Sequence, residues 1–172
     1  MTTPARLQYL KIKKQYSEEI LFFRMGDFYE TFDNDAEIVS RVLEIALTSR
    51  EFGKSNRIPM AGIPYHALNN YLGRLINNGY KVALCEQISE VGESKGPVDR
   101  AVVRVVTAGT IVEDNMLDPK TNNYLTAVVI GDKQAGLSYT DITTGQFFAS
   151  QIPIDKLEAQ LSILAPRETL VN

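Results

Sequence analysis

Apolar and polar positions along the chain change period several times, and each change predicts an element. Thr3-Pro4 offers an N-cap hydroxyl and a proline in the first turn, and Leu7, Leu10 and Tyr16 form a helical stripe, so a first helix ending near Tyr16 is expected. Ile20 to Met25 is an apolar run short enough for a buried strand. Gly26-Asp27 then makes a turn and FYETF, Phe28 to Phe32, reads as a second strand, joined to the first as a hairpin or through a bend. Asp33 or Asn34 can cap a second helix, in which Ala36, Val39, Leu43 and Ala46 repeat at three- and four-residue spacing and pack on the sheet. SREFGKSNRIPMAGIPYH is rich in turn formers, and Pro59 and Pro64 favour a rigid loop over a central strand. A third helix follows, with Leu68, Tyr71, Leu72, Leu75 and Ile76 inward and Gly79 as its left-handed stop. KVALCEQI and RAVVRVVTAGT are strand-like, separated by the polar loop VGESKGPVD. The first part of the chain is therefore mixed α/β, a sheet with flanking helices.

From Ile111 to Asn122 the pattern is polar and turn-prone, a short helix and linker. NYLTAVVI, QAGLSYTDI and GQFFASQI then read as an antiparallel meander, and IDKLEAQLSILA as a helix behind it. Some 50 residues are close to the lower limit for independent folding, so a second domain that is only partial is expected here.

Composition narrows the class without fixing it. The 172 residues, 44% hydrophobic and 23% charged, suit a soluble globular protein with a real core. No apolar run approaches the roughly 18 residues of a membrane span and no signal leader is evident, so a cytoplasmic protein with no membrane partner is expected. The net charge of −3 argues against binding by bulk positive charge. The acidity lies in the second part, since residues 1–110 carry 14 Lys+Arg against 13 Asp+Glu, whereas residues 111–172 carry 4 against 8. Arg6, Lys11, Lys13 and Lys14 near the start, and Arg50, Lys54 and Arg57 around a Gly/Ser/Asn loop, are either phosphate contacts or a solvated face.

Candidate chemistry is sparse. No glycine-rich phosphate loop of either common type occurs, so no nucleotide cofactor is expected in this chain. Cys85, the single cysteine, sits among apolar neighbours and is expected to pack as a small hydrophobe. His66, the only histidine, has no second histidine for a metal site or a triad, and is read as a packing or capping residue. No catalytic or metal-binding residue is assigned. Asp27, Glu30, Asp33 and Asp35 could in principle gather Mg²⁺, which leaves a small metal-dependent nuclease as the alternative function. Glu86 is followed by Gln87 and Ile88, with no lysine beside it to support such a site. Asp141, on the middle meander strand, could imitate the first carboxylate of a ribonuclease-H-like sheet, though a turn-linked or solvated role is favoured.

The stretch RMGDFYETF is the most suggestive. If Phe28 to Phe32 is extended, Phe28 and Glu30 share one face while Tyr29 and Thr31 point the other way, placing a flat ring beside a carboxylate. Ordinary core for Phe28 and a solvated edge for Glu30 is the simplest account of that pair.

FFRMGDFYETF (22–32), ALTSR (46–50), IPMAGIPYHALNNYL (58–72), VALCEQ (82–87), KGPVDR (95–100) and VVRVVTAGT (102–110) together resemble the amino-terminal region of the MutS family of bacterial DNA mismatch-repair proteins, and DITTGQF (141–147) resembles the start of that family's connector domain. The resemblance implies a mismatch-recognition domain over residues 1–110, a linker over 111–122 and a partial ribonuclease-H-like connector domain over 123–172. It also implies that the chain is an excised or truncated piece, with ATP and Mg²⁺ used only in an ATPase domain outside it, so that the chain itself is not an enzyme. Mismatched double-stranded DNA, a homodimeric partner copy of the full-length protein and a MutL-type repair partner are the implied partners. The family's Phe-x-Glu motif falls on Phe28 and Glu30, which the resemblance makes a minor-groove wedge and a base contact. Met25 beside the turn, Arg50, and Met60 and Gly62 in the following loop are further implied DNA contacts. The chain departs from the family pattern at Ala108, where proline is usual, and at Thr31, where a larger apolar residue is common.

Overall fold

The computed structural model describes residues 3–51, 57–88 and 98–172, and divides into two compact units, residues 1–106 and 107–172. The first unit contains the helices α1 (Pro4–Gln15), α2 (Asp33–Leu43) and α3 (Leu68–Asn77) and the strands β1 (Ile20–Met25), β2 (Phe28–Phe32), β3 (Thr48–Glu51), β4 (Arg57–Pro64), β5 (Val82–Gln87) and β6 (Arg100–Val106). The six strands form one sheet in the order β3-β4-β2-β1-β5-β6. Only the β1–β5 contact is parallel, and the remaining pairs are antiparallel, so the sheet is mixed, as the sequence pattern predicts.

Thr3 caps α1, its hydroxyl accepting from the Arg6 amide at 3.4 Å. The buried stripe of α1 is not the expected one. Arg6, Tyr9 and Ile12 are buried, whereas Leu7 and Leu10 are exposed. The reason is the aromatic content of the sheet face below: the Tyr9 ring stands edge-on to Phe23 at 5.5 Å and to Phe32 at 4.9 Å, and its hydroxyl donates to the Phe32 carbonyl at 3.3 Å. Desolvation raises the Tyr9 phenol well above its ordinary pKa, so it stays a donor. Arg6 is buried because the Asp33 carboxylate takes its guanidinium at 2.6 and 2.9 Å. Asp33 is thus the first residue of α2 rather than its side-chain cap, and neither it nor Asn34 performs the expected capping. Ala36, Val39 and Leu43 are buried as the spacing predicts, but α2 stops at a left-handed Glu44 and leaves Ala46 outside it and exposed.

The proline-rich stretch expected to be a loop forms β3 and β4 instead. β4 pairs with β3 over residues 57–60 and with β2 over residues 60–64, so Pro59 and Pro64 each lie where only one strand flanks β4. Their missing N–H groups are therefore compatible with a strand that is otherwise interior. Thr31, on β2, is fully buried and satisfies its hydroxyl on the Ala61 carbonyl at 3.1 Å. α2 contacts β2 and β4, and α3 contacts β5 and buries Leu72, Leu75 and Ile76, with Gly79 at φ +82° following its end. Cys85 is buried in β5, and burial pushes its thiol up to about 12, consistent with a packing role.

The second unit has β7 (Tyr124–Ile130), β8 (Gln134–Asp141), β9 (Gln146–Pro153), α4 (Leu157–Leu164) and β10 (Glu168–Val171). The meander is as expected, and β10 adds a strand parallel to β7, giving the order β10-β7-β8-β9. Val128, Ala135 and Leu137 form a small core with Leu157, Leu161 and Leu164 of α4.

Asp141 is buried at the end of β8 and turn-linked. Its carboxylate accepts from the Thr143 hydroxyl at 2.6 Å, the Thr143 amide at 3.0 Å and the Asn123 amide at 3.1 Å. The Thr143 hydroxyl bond leads in holding the carboxyl below its ordinary range. A depressed folded-state pKa stabilises above the unfolded value and loses that contribution as pH falls through the folded one. Asp141→Ala should accordingly destabilise the second unit by about 1–3 kcal/mol, since it strands the buried Asn123 amide. Hydrogen exchange of the β7 and β8 amides, faster in the variant at neutral pH and converging with the parent in acid, checks this.

Candidate nucleic-acid interface

Gly26 has φ +60° and Asp27 does not share it, which matches the two-residue hairpin turn that takes glycine first and follows the right-handed twist of its strands. The register places Met25 opposite Phe28 and Phe23 opposite Glu30. On the other side of β2, Gly62 lies opposite Glu30, Pro64 opposite Phe28 and Met60 opposite Phe32. Alternation therefore gathers Phe23, Met25, Phe28, Glu30, Phe32, Met60 and Gly62 on one sheet face. This is also the face that α1 covers, where Met25 and Met60 pack against the cluster of Tyr9, Phe23 and Phe32.

Coverage stops short of the turn. Phe23 is 1% and Phe32 2% exposed, whereas Phe28 is 47% exposed at the hairpin tip. Identical side chains on one face are thus buried or bare according to their distance from α1. The simple account of Phe28 as core fails on this observation.

Glu30 is not a solvated edge residue either. Its side chain is 14% exposed, and its carboxylate is ion-paired with Arg50 from β3. Arg50 lies opposite Ile58 in the β3–β4 register, four residues from Gly62, so it reaches across β4 to meet Glu30. At Gly62 an added Cβ would stand 3.2 Å from the Tyr29 carbonyl and 3.7 Å from the Glu30 side chain, so glycine keeps that crossing open. Arg100 approaches from the other flank. It lies over the Phe23 ring at 4.9 Å and donates to the Arg24 carbonyl at 2.6 Å, the Val98 carbonyl at 3.0 Å and the Gln8 amide oxygen at 3.1 Å. Burial raises the Glu30 pKa, and the Arg50 and then the Arg100 charges oppose that rise.

The reverse face braces the hairpin. Tyr29 stacks on Phe22 at 5.9 Å, and its hydroxyl donates to Glu86. Arg24 pairs with Glu86 at 3.7 Å and lies over the Tyr65 ring at 3.8 Å, while the Tyr65 amide donates to the Asp27 carbonyl of the turn at 2.9 Å. Arg24, Glu86, Tyr65 and Arg100 are the site residues that sequence reasoning missed. A charged Arg24 inside an apolar strand was the one available signal. His66, beside Tyr65 with ring centroids 5.8 Å apart, is exposed rather than packed in a core.

The acids considered for metal binding are dispersed. Asp33 pairs with Arg6, Asp35 with Lys13 at 3.0 Å and the Leu21 amide, and Glu30 with Arg50. Among the described residues no three His, Cys, Asp or Glu side chains gather where they could hold a metal ion. The same pairs take Arg6 and Lys13 out of the amino-terminal basic cluster, and Lys54 and residues 95–97 of KGPVDR lie outside the described residues.

Comparison with known proteins assigns both units. Residues 3–115 match the family description MutS domain I, and residues 123–172 match MutS domain II. The chain belongs to the MutS family. It is 56% identical over 170 residues to the DNA mismatch repair protein MutS of Dehalococcoides mccartyi strain CBDB1, an alignment covering 99% of this chain and 20% of that protein. It is 52% identical over 172 residues to the MutS of Staphylococcus haemolyticus, covering 99% and 20%, and 48% identical over 169 residues to that of Methanothrix thermoacetophila, covering 98% and 20%. The chain thus spans about a fifth of the length of these curated relatives. The whole Phe28–Glu30 face falls within the MutS domain I match. Among the described residues no helix is long and apolar enough to cross a membrane.

Proposed function

We propose that this chain recognises mispaired DNA for mismatch repair, with Phe28 entering the minor groove as a wedge and Glu30 contacting the mispaired base. The observation that carries the reading is a bare aromatic ring on a braced hairpin, two residues from a half-buried carboxylate, in a MutS domain I segment. An inserted ring gains about 1–3 kcal/mol of stacking but must first unstack a base step and kink the duplex, at a cost of a few kcal/mol. A mispair lowers that cost. The ring then reads deformability rather than base sequence, which suits a protein that must find errors in any context. Glu30 complements it, since a carboxylate in the groove is repelled by phosphates unless it accepts from a base or carries a proton and donates to one. Met25, Met60 and Gly62 would border the wedge, and Arg50 would lie within reach of backbone or base.

In this reading residues 1–110 are the recognition domain, 111–122 a linker and 123–172 the start of a ribonuclease-H-like connector. ATP and Mg²⁺ chemistry, dimerisation and a MutL-type partner belong to the full-length family context, and this chain supplies recognition rather than catalysis. Competition between a mispaired and a fully paired duplex of otherwise identical sequence, in that context, tests the assignment. Equal affinity would overturn it.

The chain by itself should bind duplex DNA weakly, because its net charge is −3 and several of its cations are paired internally. Few phosphates are neutralised, so the logarithm of the binding constant should fall only shallowly with the logarithm of salt concentration. Fluorescence anisotropy with a labelled duplex reads both quantities. A nanomolar dissociation constant at physiological salt would contradict the view that other domains supply most of the affinity.

A further inference from the structure

We infer that Arg24 is a positioning residue for the wedge: it clamps the hairpin turn from the sheet face opposite Phe28, so that the ring meets DNA already oriented, and Glu86 holds Arg24 in that position. The inference rests on the wedge reading above and adds to it the residues that fix the direction of the ring.

The tip needs a clamp. Gly26, Asp27 and Phe28 are exposed, and a Cβ added at Gly26 would meet nothing within 4 Å, so the turn stands clear of core packing. Strand pairing ends with Phe28, opposite Met25 on one side and Pro64 on the other. Among the described residues, two groups reach beyond that limit to the carbonyls of the turn. The Tyr65 amide donates to the Asp27 carbonyl at 2.9 Å, and the Arg24 Nε donates to the Gly26 carbonyl.

Arg24 is itself fixed. Alternation along β1 puts it on the reverse face, opposite Tyr29 in the register and away from Phe23 and Met25. One of its terminal nitrogens lies 3.7 Å from the Glu86 carboxylate, and its guanidinium stands 3.8 Å from the centre of the Tyr65 ring and 5.7 Å from that of Tyr29. Glu86 is held in turn by the Tyr29 hydroxyl, whose pKa burial and that hydrogen bond both raise, so it stays a donor. A planar guanidinium serves the turn, the carboxylate and the ring together, which a single ammonium cannot. The Arg24 side chain is only 18% exposed, whereas Phe28 is bare, so the ring and not the arginine is what the tip presents to a duplex.

An inserted ring must point into the groove when contact is made. A tip that is ordered only on binding loses part of the stacking free energy to that ordering. With Arg24 in place the ordering is completed in folding. A paired duplex, into which the ring does not insert, gains nothing from this, so the clamp strengthens binding to a mispair and thereby raises discrimination.

The test reads order and binding together. In the DNA-free chain, amide nitrogen relaxation should show Gly26, Asp27 and Phe28 as rigid as the flanking strands in the parent and clearly looser in Arg24→Met, while the α2 amides keep their order. In the full-length context, Arg24→Met should weaken binding to a mispair about two- to tenfold, the scale of ordering a side chain or short loop on binding, and leave paired DNA nearly unchanged. Arg24→Met combined with Phe28→Ala should match Phe28→Ala alone, because no ring is left to position. If Arg24 instead contacts DNA itself, its replacement weakens both duplexes and adds to Phe28→Ala, which overturns the inference and leaves the wedge standing. A turn that stays rigid in Arg24→Met, or unchanged discrimination, overturns it equally. Should Arg24→Met fail to fold, Glu86→Gln, which keeps an acceptor for Tyr29 and removes the charge facing Arg24, carries the comparison: the same three amides should loosen and discrimination should fall, and the absence of either change overturns the inference. If Phe28→Ala itself leaves discrimination unchanged, the wedge reading falls and the positioning role falls with it.

Discussion

Replacing Phe28 with alanine in the full-length context should abolish preference for a mispaired duplex while leaving the fold intact. The ring is half exposed beyond the reach of α1, so its removal opens no cavity, and the expected change in stability is within about 0.5 kcal/mol. What disappears is the stacking that offsets kinking, worth about 1–3 kcal/mol, or roughly five- to 150-fold in affinity for the mispair. Paired DNA, which is not kinked to the same extent, should lose far less. The contrast within the same sheet face sharpens the test. Phe32, 2% exposed and edge-on to Tyr9, should cost about 3–5 kcal/mol of stability when truncated and lose binding only through unfolding. Thermal melts followed by circular dichroism, with anisotropy titrations of both duplexes, separate the two residues. Unchanged discrimination in a folded Phe28→Ala variant would remove the wedge assignment.

The shared face of Phe28 and Glu30 was legible in the sequence because local alternation is a strong constraint. A two-residue turn at Gly26 followed by five extended residues puts Phe28 and Glu30 on one side whatever surrounds them. The same local logic found the buried residues of α2 and α3, where apolar spacing and sheet contact agree. It failed where distant partners decide. Leu7 and Leu10 match a helical stripe, but the sheet below presents Phe23 and Phe32, and Tyr9 suits that surface better. Pro59 argues against a strand only if both sides of that strand are paired, and the offset between β2 and β3 along β4 leaves one side open there. β10 draws its hydrogen bonds from β7, some 40 residues earlier, and its four residues carry no periodic signal of their own. The charges around Glu30 were hidden for the same reason: Arg50 arrives from an edge strand and Arg100 from β6, and neither spacing marks them as neighbours.

Glu30→Gln separates a gatekeeper from a passive acid. The change keeps the shape and the hydrogen-bonding capacity of the side chain and removes its charge, so any effect on DNA is an effect of the anion. If the carboxylate penalises paired DNA, homoduplex affinity should rise by on the order of tenfold, since like charges brought together in a groove cost several kcal/mol before screening. Affinity for the mispair should change less, because there the side chain has a donor or carries a proton, and discrimination falls through a gain on the wrong substrate. The parent protein should imitate its own variant in acid. Burial has raised the Glu30 pKa, so lowering pH through that midpoint neutralises the side chain in the folded protein, and discrimination should decline over the same interval while Glu30→Gln stays flat. A general surface charge would behave otherwise, shifting both affinities about equally by an amount that fades as salt is raised. Titrating both duplexes against parent and variant at two salt concentrations and several pH values decides between them. An equal, salt-sensitive shift would return Glu30 to the status of an ion-paired residue whose partner happens to be Arg50.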